Sequence, residues 1–209
     1  MAFSDYSSLQ TSVASYMARS DLTSNIPDFI TLFEAEANRS LRTRQMEITQ
    51  STTPTSGTFS LPTDYVGWKA VKWSAGGLSR SLQYVHPSEL PELYPDSPAA
   101  NPRVFSILGT TDQVGYVQLM PTANDAVAFT YFQKITNLST TAGSTTNWLL
   151  TSHPDVYLAG AMTEACVFTK DYDTGGIWKA RRDALFKEIT DLDEKTRGPS
   201  SIRVPGRNP

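Results

Sequence analysis

Residues 26–44 read IPDFITLFEAEANRSLRTR, and the spacing of their apolar side chains sets the architecture. Ile26, Phe29, Ile30, Phe33, Ala37 and Leu41 recur at three- and four-residue steps, the period of a helix with one buried face. Pro27 is tolerated in a first turn because its missing N–H would have no helical partner there. Asp28 adds negative charge at the helix's positive end. Glu34, Glu36, Arg39, Arg42 and Arg44 are expected largely off the apolar face.

Upstream, Tyr6, Leu9, Val13, Tyr16 and Met17 form a second helical stripe, with Ser4 placed to cap it and Arg19-Ser20-Asp21 to end it. Downstream of Met46 the helical period disappears. Thr49 to Gly57 is a polar stretch, and Phe59-Ser60-Leu61-Pro62 reads as a short strand. Tyr65 to Trp73 alternates with a phase break near Ala70 that predicts a bulge. Gly76-Gly77 predicts a hairpin turn into a strand over Leu78–Val85. His86-Pro87-Ser88-Glu89-Leu90 resembles a short helical start, and Pro91, Pro95, Pro98 and Pro102 predict a loop. Strands are expected over Val104–Leu108, Tyr116–Met120 and Val127–Ile135. The last is apolar on both faces, which predicts cover by a second sheet or a neighbouring subunit.

Helices return at Ser152-His153-Pro154-Asp155, after an exposed-looking Trp148-Leu149-Leu150. Leu158, Ala161, Met162, Ala165 and Phe168 form the inward stripe, and Gly160, Ala161 and Ala165 are expected to let another helix approach closely. Asp173-Thr174-Gly175-Gly176 is expected to break the chain before a last helix carrying Trp178, Leu185, Ile189 and Leu192 on one side. The sequence therefore predicts an α+β fold: a helical bundle built from both ends, a central antiparallel β insertion and an extended C-terminal arm. Its divisions are 1–47 (helical, first part), 48–138 (β insertion), 139–197 (helical, second part) and 198–209 (arm).

The 209 residues contain 18 basic and 21 acidic side chains, a net charge of −3. Such a chain buries roughly 70% of its extended surface and needs no staples. Its charge argues against a globally basic nucleic-acid binder, though not against a local basic patch. The lone Cys166 allows no internal disulfide and no cysteine zinc site. No apolar run reaches membrane-spanning length, and Met1 to Tyr6 lacks the pattern of a signal peptide, so a soluble protein of a reducing cytoplasm is expected.

Chemistry is sparse. His86 and His153 both precede proline and share no paired-ligand spacing, which favours helix-start or loop roles. Cys166 lies between apolar neighbours and reads as a small buried hydrophobe. Asp171 to Arg182 begins like a calcium loop but carries Gly175 at the third ligand position and Arg182 where a bidentate glutamate is required. Glu89, Glu92 and Asp96 cluster in a proline-rich segment, candidates for a paired-carboxylate hydrolase whose spacing sequence cannot show. No catalytic, cofactor-binding or metal-ligating residue is assigned, and no cofactor is expected. From Lys195 to Pro209 there are four basic residues and no acid, with Ile202 and Val204 bracketing Arg203. The stretch has too little to bury to fold alone. It reads equally as a frayed tail or as an arm that docks on a partner.

The segments RSDLTSNIPDFITLFEAEANRSLRTRQME, LPTDYVGWKAVKW, LQYVHPSEL and above all TNWLLTSHPDVYLAGAMTEACVF, in that order, resemble the head-to-tail adaptor (head-completion or connector) proteins of short-tailed bacteriophages. The resemblance runs from Asp5 to about Leu192. It implies a non-enzymatic virion protein at the portal vertex, assembled in the host cytoplasm as a ring, usually of twelve subunits. The implied partners are the portal protein, copies of the chain itself, tail nozzle or tail fibre proteins, and genomic DNA sliding through the channel without sequence-specific binding. No membrane is implied. A terminal extension reaching onto the portal carries over to Ile202, Arg203, Val204 and Arg207. Two alternatives stand beside it: a tail-associated peptidoglycan hydrolase using Glu89, Glu92 or Asp96, and a glycan- or receptor-binding module built on Trp68, Trp73, Tyr116, Phe129 and Tyr131.

Overall fold

The computed structural model describes residues 3–95, 100–109, 115–140 and 144–197. Its chain divides into two compact units, one of 1–45 with 135–209 and one of 46–134. The fold is α+β.

In the helical unit, α1 (Tyr6–Met17) is capped by Asp5, not by Ser4. The Asp5 carboxylate accepts the Ser8 N–H at 2.8 Å while the Ser8 hydroxyl serves the Asp5 N–H at 3.1 Å. This reciprocal box satisfies two donors that a lone serine could not. Tyr6, Leu9 and Val13 are buried, but Tyr16 at the end of the expected stripe is 59% exposed. α2 (Ile26–Ser40) starts and faces inward as its sequence predicts, with one exception: Glu34 is only 2% exposed.

The stretch Trp148-Leu149-Leu150 is not an exposed anchor. It forms the short helix α4 (Trp148–Ser152), capped by the Asn147 side chain, and buries Leu149 and Leu150 completely. α5 (Pro154–Thr169) follows and is the central helix, apolar nearly all round, because α1, α2 and α6 (Tyr172–Arg197) all pack on it. At Gly160 the Phe33 side chain of α2 lies against the α5 backbone. A Cβ there would lie 1.9 Å from Cδ2 of Phe33, whose ring also packs edge-on against Tyr157 at 5.0 Å. Phe168, expected inward, is 54% exposed and lies tilted against Phe29 at 5.4 Å.

The break before the last helix falls earlier than its glycines suggest. α5 ends at Thr169, with Lys170 capping it in the left-handed conformation, and α6 starts at Tyr172, so Gly175 and Gly176 lie inside it. Gly175 is buried, and a Cβ on it would meet Cys166 at 3.1 Å; its smallness serves helix contact, not chain breaking. α6 turns Gly175, Arg182, Ile189 and Asp193 inward, while Leu192 is 59% exposed.

The β unit is a sandwich of two four-stranded sheets. The first has the order β1 (Glu47–Thr52), β8 (Ala126–Gln133), β3 (Tyr65–Ala75), β4 (Leu78–Ser81). The second runs β2 (Thr58–Ser60), β7 (Tyr116–Met120), β6 (Val104–Leu108), β5 (Gln83–Tyr84). Pairing is antiparallel except between β5 and β6. β1 occupies part of the stretch that reads as polar loop; its Ser/Thr content suits an edge strand whose ladder with β8 replaces side-chain packing. The bulge near Ala70 is present, with a second irregularity between Tyr65 and Gly67. Gly76 and Gly77, at φ of +56° and +80°, make the tight turn that L-residues resist. The expected strand over Leu78–Val85 is two strands, because the chain crosses at the buried Leu82 from the first sheet to the second. A short helix α3 (Leu90–Leu93) precedes β6.

The sandwich core joins Val71, Trp73, Val127, Phe129 and Tyr131 of the first sheet to Phe105, Val117 and Leu119 of the second. On β8 this is one phase of the alternation. The other phase, Ala128, Thr130 and Phe132, is half-buried, so the strand is dry on one face and partly covered on the other.

Candidate interaction surfaces

The ionisable groups inside the helical unit hold the fold together. Glu34 Oε1 accepts the Leu138 N–H at 2.9 Å and the Tyr157 hydroxyl at 3.1 Å. Asn147 Nδ2 donates to the Tyr157 hydroxyl at 2.6 Å and to the Thr136 carbonyl at 2.8 Å, while its Oδ1 caps α4 through the Leu150 N–H. Burial pushes the Glu34 carboxyl up to about 7, against the pull of the Leu138 N–H and the Tyr157 hydroxyl. Burial and the Glu34 charge raise Tyr157 in turn. Asn38 accepts the Ile135 N–H at 2.7 Å, and Asp193 accepts the Arg44 N–H at 3.0 Å. Three side-chain acceptors, Glu34, Asn38 and Asp193, thus pin the chain within this unit on either side of the β insertion.

Arg182, the residue that spoils the calcium-loop pattern, is 5% exposed and donates to Glu36 at 2.7 Å and to Asp183 at 2.8 Å. Cys166 is buried, and burial together with the Asp171 charge raises its thiol. Among the described residues no group of three or more His, Cys, Asp and Glu side chains is placed to hold a metal ion, and no helix is long and apolar enough to cross a membrane.

Glu89 and Glu92 are exposed, at the entry and inside the four-residue α3, and Asp96 lies outside the described residues. His86 closes a local turn with the Ser88 hydroxyl at 2.7 Å, and His153 sits at the start of α5 beside Trp148. Of the aromatics offered for glycan binding, Trp73, Phe129 and Tyr131 are core residues and Tyr116 is half-buried. Burial and the nearby Asp64 carboxylate push the Tyr131 hydroxyl up to about 12. Only Trp68 is open, at 39%, and it stacks on Tyr84 at 5.3 Å and meets Phe105 edge-on. Ile202, Arg203, Val204 and Arg207 lie outside the described residues, as does the rest of the arm.

What the helical unit does present is apolar surface. At the elbow between α5 and α6, Val167, Tyr172 and Ile177 are 53%, 68% and 72% exposed. A groove of about 200 Å³ runs between Val167, Tyr172, Gly175 and Lys179. Gly176 is exposed on the same turn, with nothing among the described residues within 4 Å of a Cβ built on it. A helix interior gives up about 1 kcal/mol for such a glycine, yet among the described residues no contact uses its smallness. Surfaces of this kind serve assembly far better than chemistry.

A sequence model of one family, described as SU10 adaptor protein, matches residues 4–205. The chain belongs to this family. It is therefore a phage head-to-tail adaptor, matched over nearly its whole length and across both structural units. No curated protein matches the chain.

Three buried polar residues, Glu34, Arg182 and Asp193, were missed as inward residues, although their spacing marks them. Glu34 stands four residues after Ile30 and three before Ala37, on the apolar stripe of α2. Arg182 stands four after Trp178 and seven before Ile189, and Asp193 four after Ile189. Their charge masked their position.

Proposed function

We propose that this adaptor assembles as a ring of twelve copies beneath the portal ring, extends the DNA channel and gives tail nozzle or tail fibre proteins their attachment platform. The observation that carries this reading is the family match over residues 4–205. The role makes and breaks no covalent bond, and it places the protein in the virion after assembly in the host cytoplasm.

A closed ring needs one face of each subunit to meet a different face of its neighbour. The exposed apolar elbow of α5 and α6 supports that requirement on one side. In this reading the helical domain, 1–47 with 139–197, packs around the ring, and the β insertion, 48–138, is carried by it. The arm, 198–209, reaches onto the portal with Ile202 and Val204 seated in apolar pockets and Arg203 and Arg207 paired with acidic groups. A net charge of −3 suits a wall past which DNA slides, since strong phosphate contacts would hold the genome back.

Mixing the purified chain with its portal and following size-exclusion elution tests the reading. Co-elution as a complex supports it, and weaker co-elution on deleting Gly198 to Pro209 supports the arm's part. Separate elution of the intact chain and portal sinks it.

A further inference from the structure

One recess of the β unit is lined by two arginines, Arg80 and Arg103. Arg80 on β4 pairs across the strand with Trp73, so both side chains leave the same face of the first sheet. Arg103 comes from the other sheet, immediately before β6, where its N–H donates to the Met120 carbonyl at 2.9 Å and its own carbonyl accepts the Gln83 N–H at 3.1 Å. Both arginines line one recess of about 370 Å³, together with Tyr94, Ala100, Asn101 and Pro121. Among the described residues neither guanidinium is paired with a carboxylate. The Asp125 carboxylate is engaged by the Trp73 indole N–H at 3.2 Å.

The recess is held in shape. Tyr94 packs on a small core of Leu90, Val104 and Met120. The Ala100 N–H donates to the Thr122 carbonyl at 3.3 Å, which keeps the 100–103 segment alongside Pro121. Two cations lining one recess favour an anionic occupant there. Each guanidinium presents a planar fork that fits a carboxylate in two-point contact.

We infer that this recess binds an acidic peptide segment of a partner protein, with a carboxylate shared between Arg80 and Arg103 and its apolar neighbour lying on Tyr94 and Pro121. The Asn101 amide has both a donor and an acceptor for the peptide backbone. Nucleic acid fits less well. Duplex DNA carries a charge about every 1.7 Å along its axis and is held by rows of cations, whereas the described lining of this recess sets its two cations beside Tyr94, Ala100 and Pro121.

The test is a titration of the full chain, with the arginine Nε–Hε signals followed by NMR. The probes are acetyl-Glu-Asp-Phe-Asp-Glu-amide, its uncharged analogue acetyl-Gln-Asn-Phe-Asn-Gln-amide, and inorganic phosphate. The acidic peptide is expected to shift Arg80 and Arg103 saturably and the analogue to shift neither. Arg80→Gln and Arg103→Gln should each weaken binding about tenfold, the loss of one charge-assisted hydrogen bond. Arg80→Lys should fall between, because it keeps the charge and loses the fork. Both positions are exposed, so circular dichroism should show all variants folded. Absence of a saturable shift, equal binding of the uncharged analogue, or phosphate binding as tightly as the acidic peptide each overturns the assignment.

Discussion

Replacing Glu34 with glutamine converts a buried, titrating acceptor into a neutral one of the same shape. The amide oxygen can still accept the Leu138 N–H and the Tyr157 hydroxyl, so the change isolates the cost of burying charge. The carboxyl titrates at about 7 in the fold against an ordinary value of 4.5. Because the folded value is the higher one, the folded chain binds the proton more tightly than the unfolded chain. The protonated acid's stabilisation is complete below pH 4.5 and lost as pH rises to about 7. At about 1.4 kcal/mol for each tenfold change, that loss is about 3 kcal/mol. The stability of Glu34→Gln relative to the natural chain should therefore rise by about 3 kcal/mol between pH 4 and pH 8. For a chain of this length that is roughly 6–12 °C in melting temperature. Thermal unfolding of both proteins, followed by the helix signal at 222 nm across that range, measures it. A difference that stays flat, or that shrinks as pH rises, would refute the account of Glu34 as a carboxyl held neutral by burial.

Gly160→Ala should destabilise the helical unit by about 3 kcal/mol, because its Cβ would occupy the place of the Phe33 ring; chemical denaturation reads this, and Phe33→Leu on that background should recover part of it. Asp193→Ala should lower stability by about 2 kcal/mol by leaving the Arg44 N–H without its acceptor. Asp193→Asn, which keeps an acceptor oxygen, should lose less in the same experiment. Tyr172→Ser combined with Ile177→Ser should leave the melting temperature within a degree or two while abolishing ring assembly on the portal, as followed by size-exclusion elution.

Much of the fold is legible because apolar period and turn chemistry agree. α2 starts at Ile26-Pro27-Asp28, the glycine pair turns the hairpin, and Gly160 admits Phe33, each for the reason its sequence supplies. Elsewhere a local rule loses to a longer-range one. Glycines 175 and 176 look like a break, yet α6 runs through them because the chain already turns at the left-handed Lys170 and Gly175 is needed small against Cys166. β1 lacks apolar alternation, since an edge strand can be held by its ladder to β8. Trp148-Leu149-Leu150 looks exposed until Asn147 caps it into a helix and buries both leucines. The surfaces were the least legible part. An exposed Val167 or Ile177 sits in a helix much as a buried one does, and Arg80 and Arg103 are 23 positions apart in sequence, brought together only by the folded sandwich.

Reconstruction of the phage portal vertex by electron microscopy, without imposed symmetry, addresses the adaptor role most directly. The account predicts twelve copies of this chain in a continuous ring between portal and tail, each touching its two neighbours. A vertex from which the chain is missing, or one where it sits as isolated copies on the outside of the tail, would contradict it.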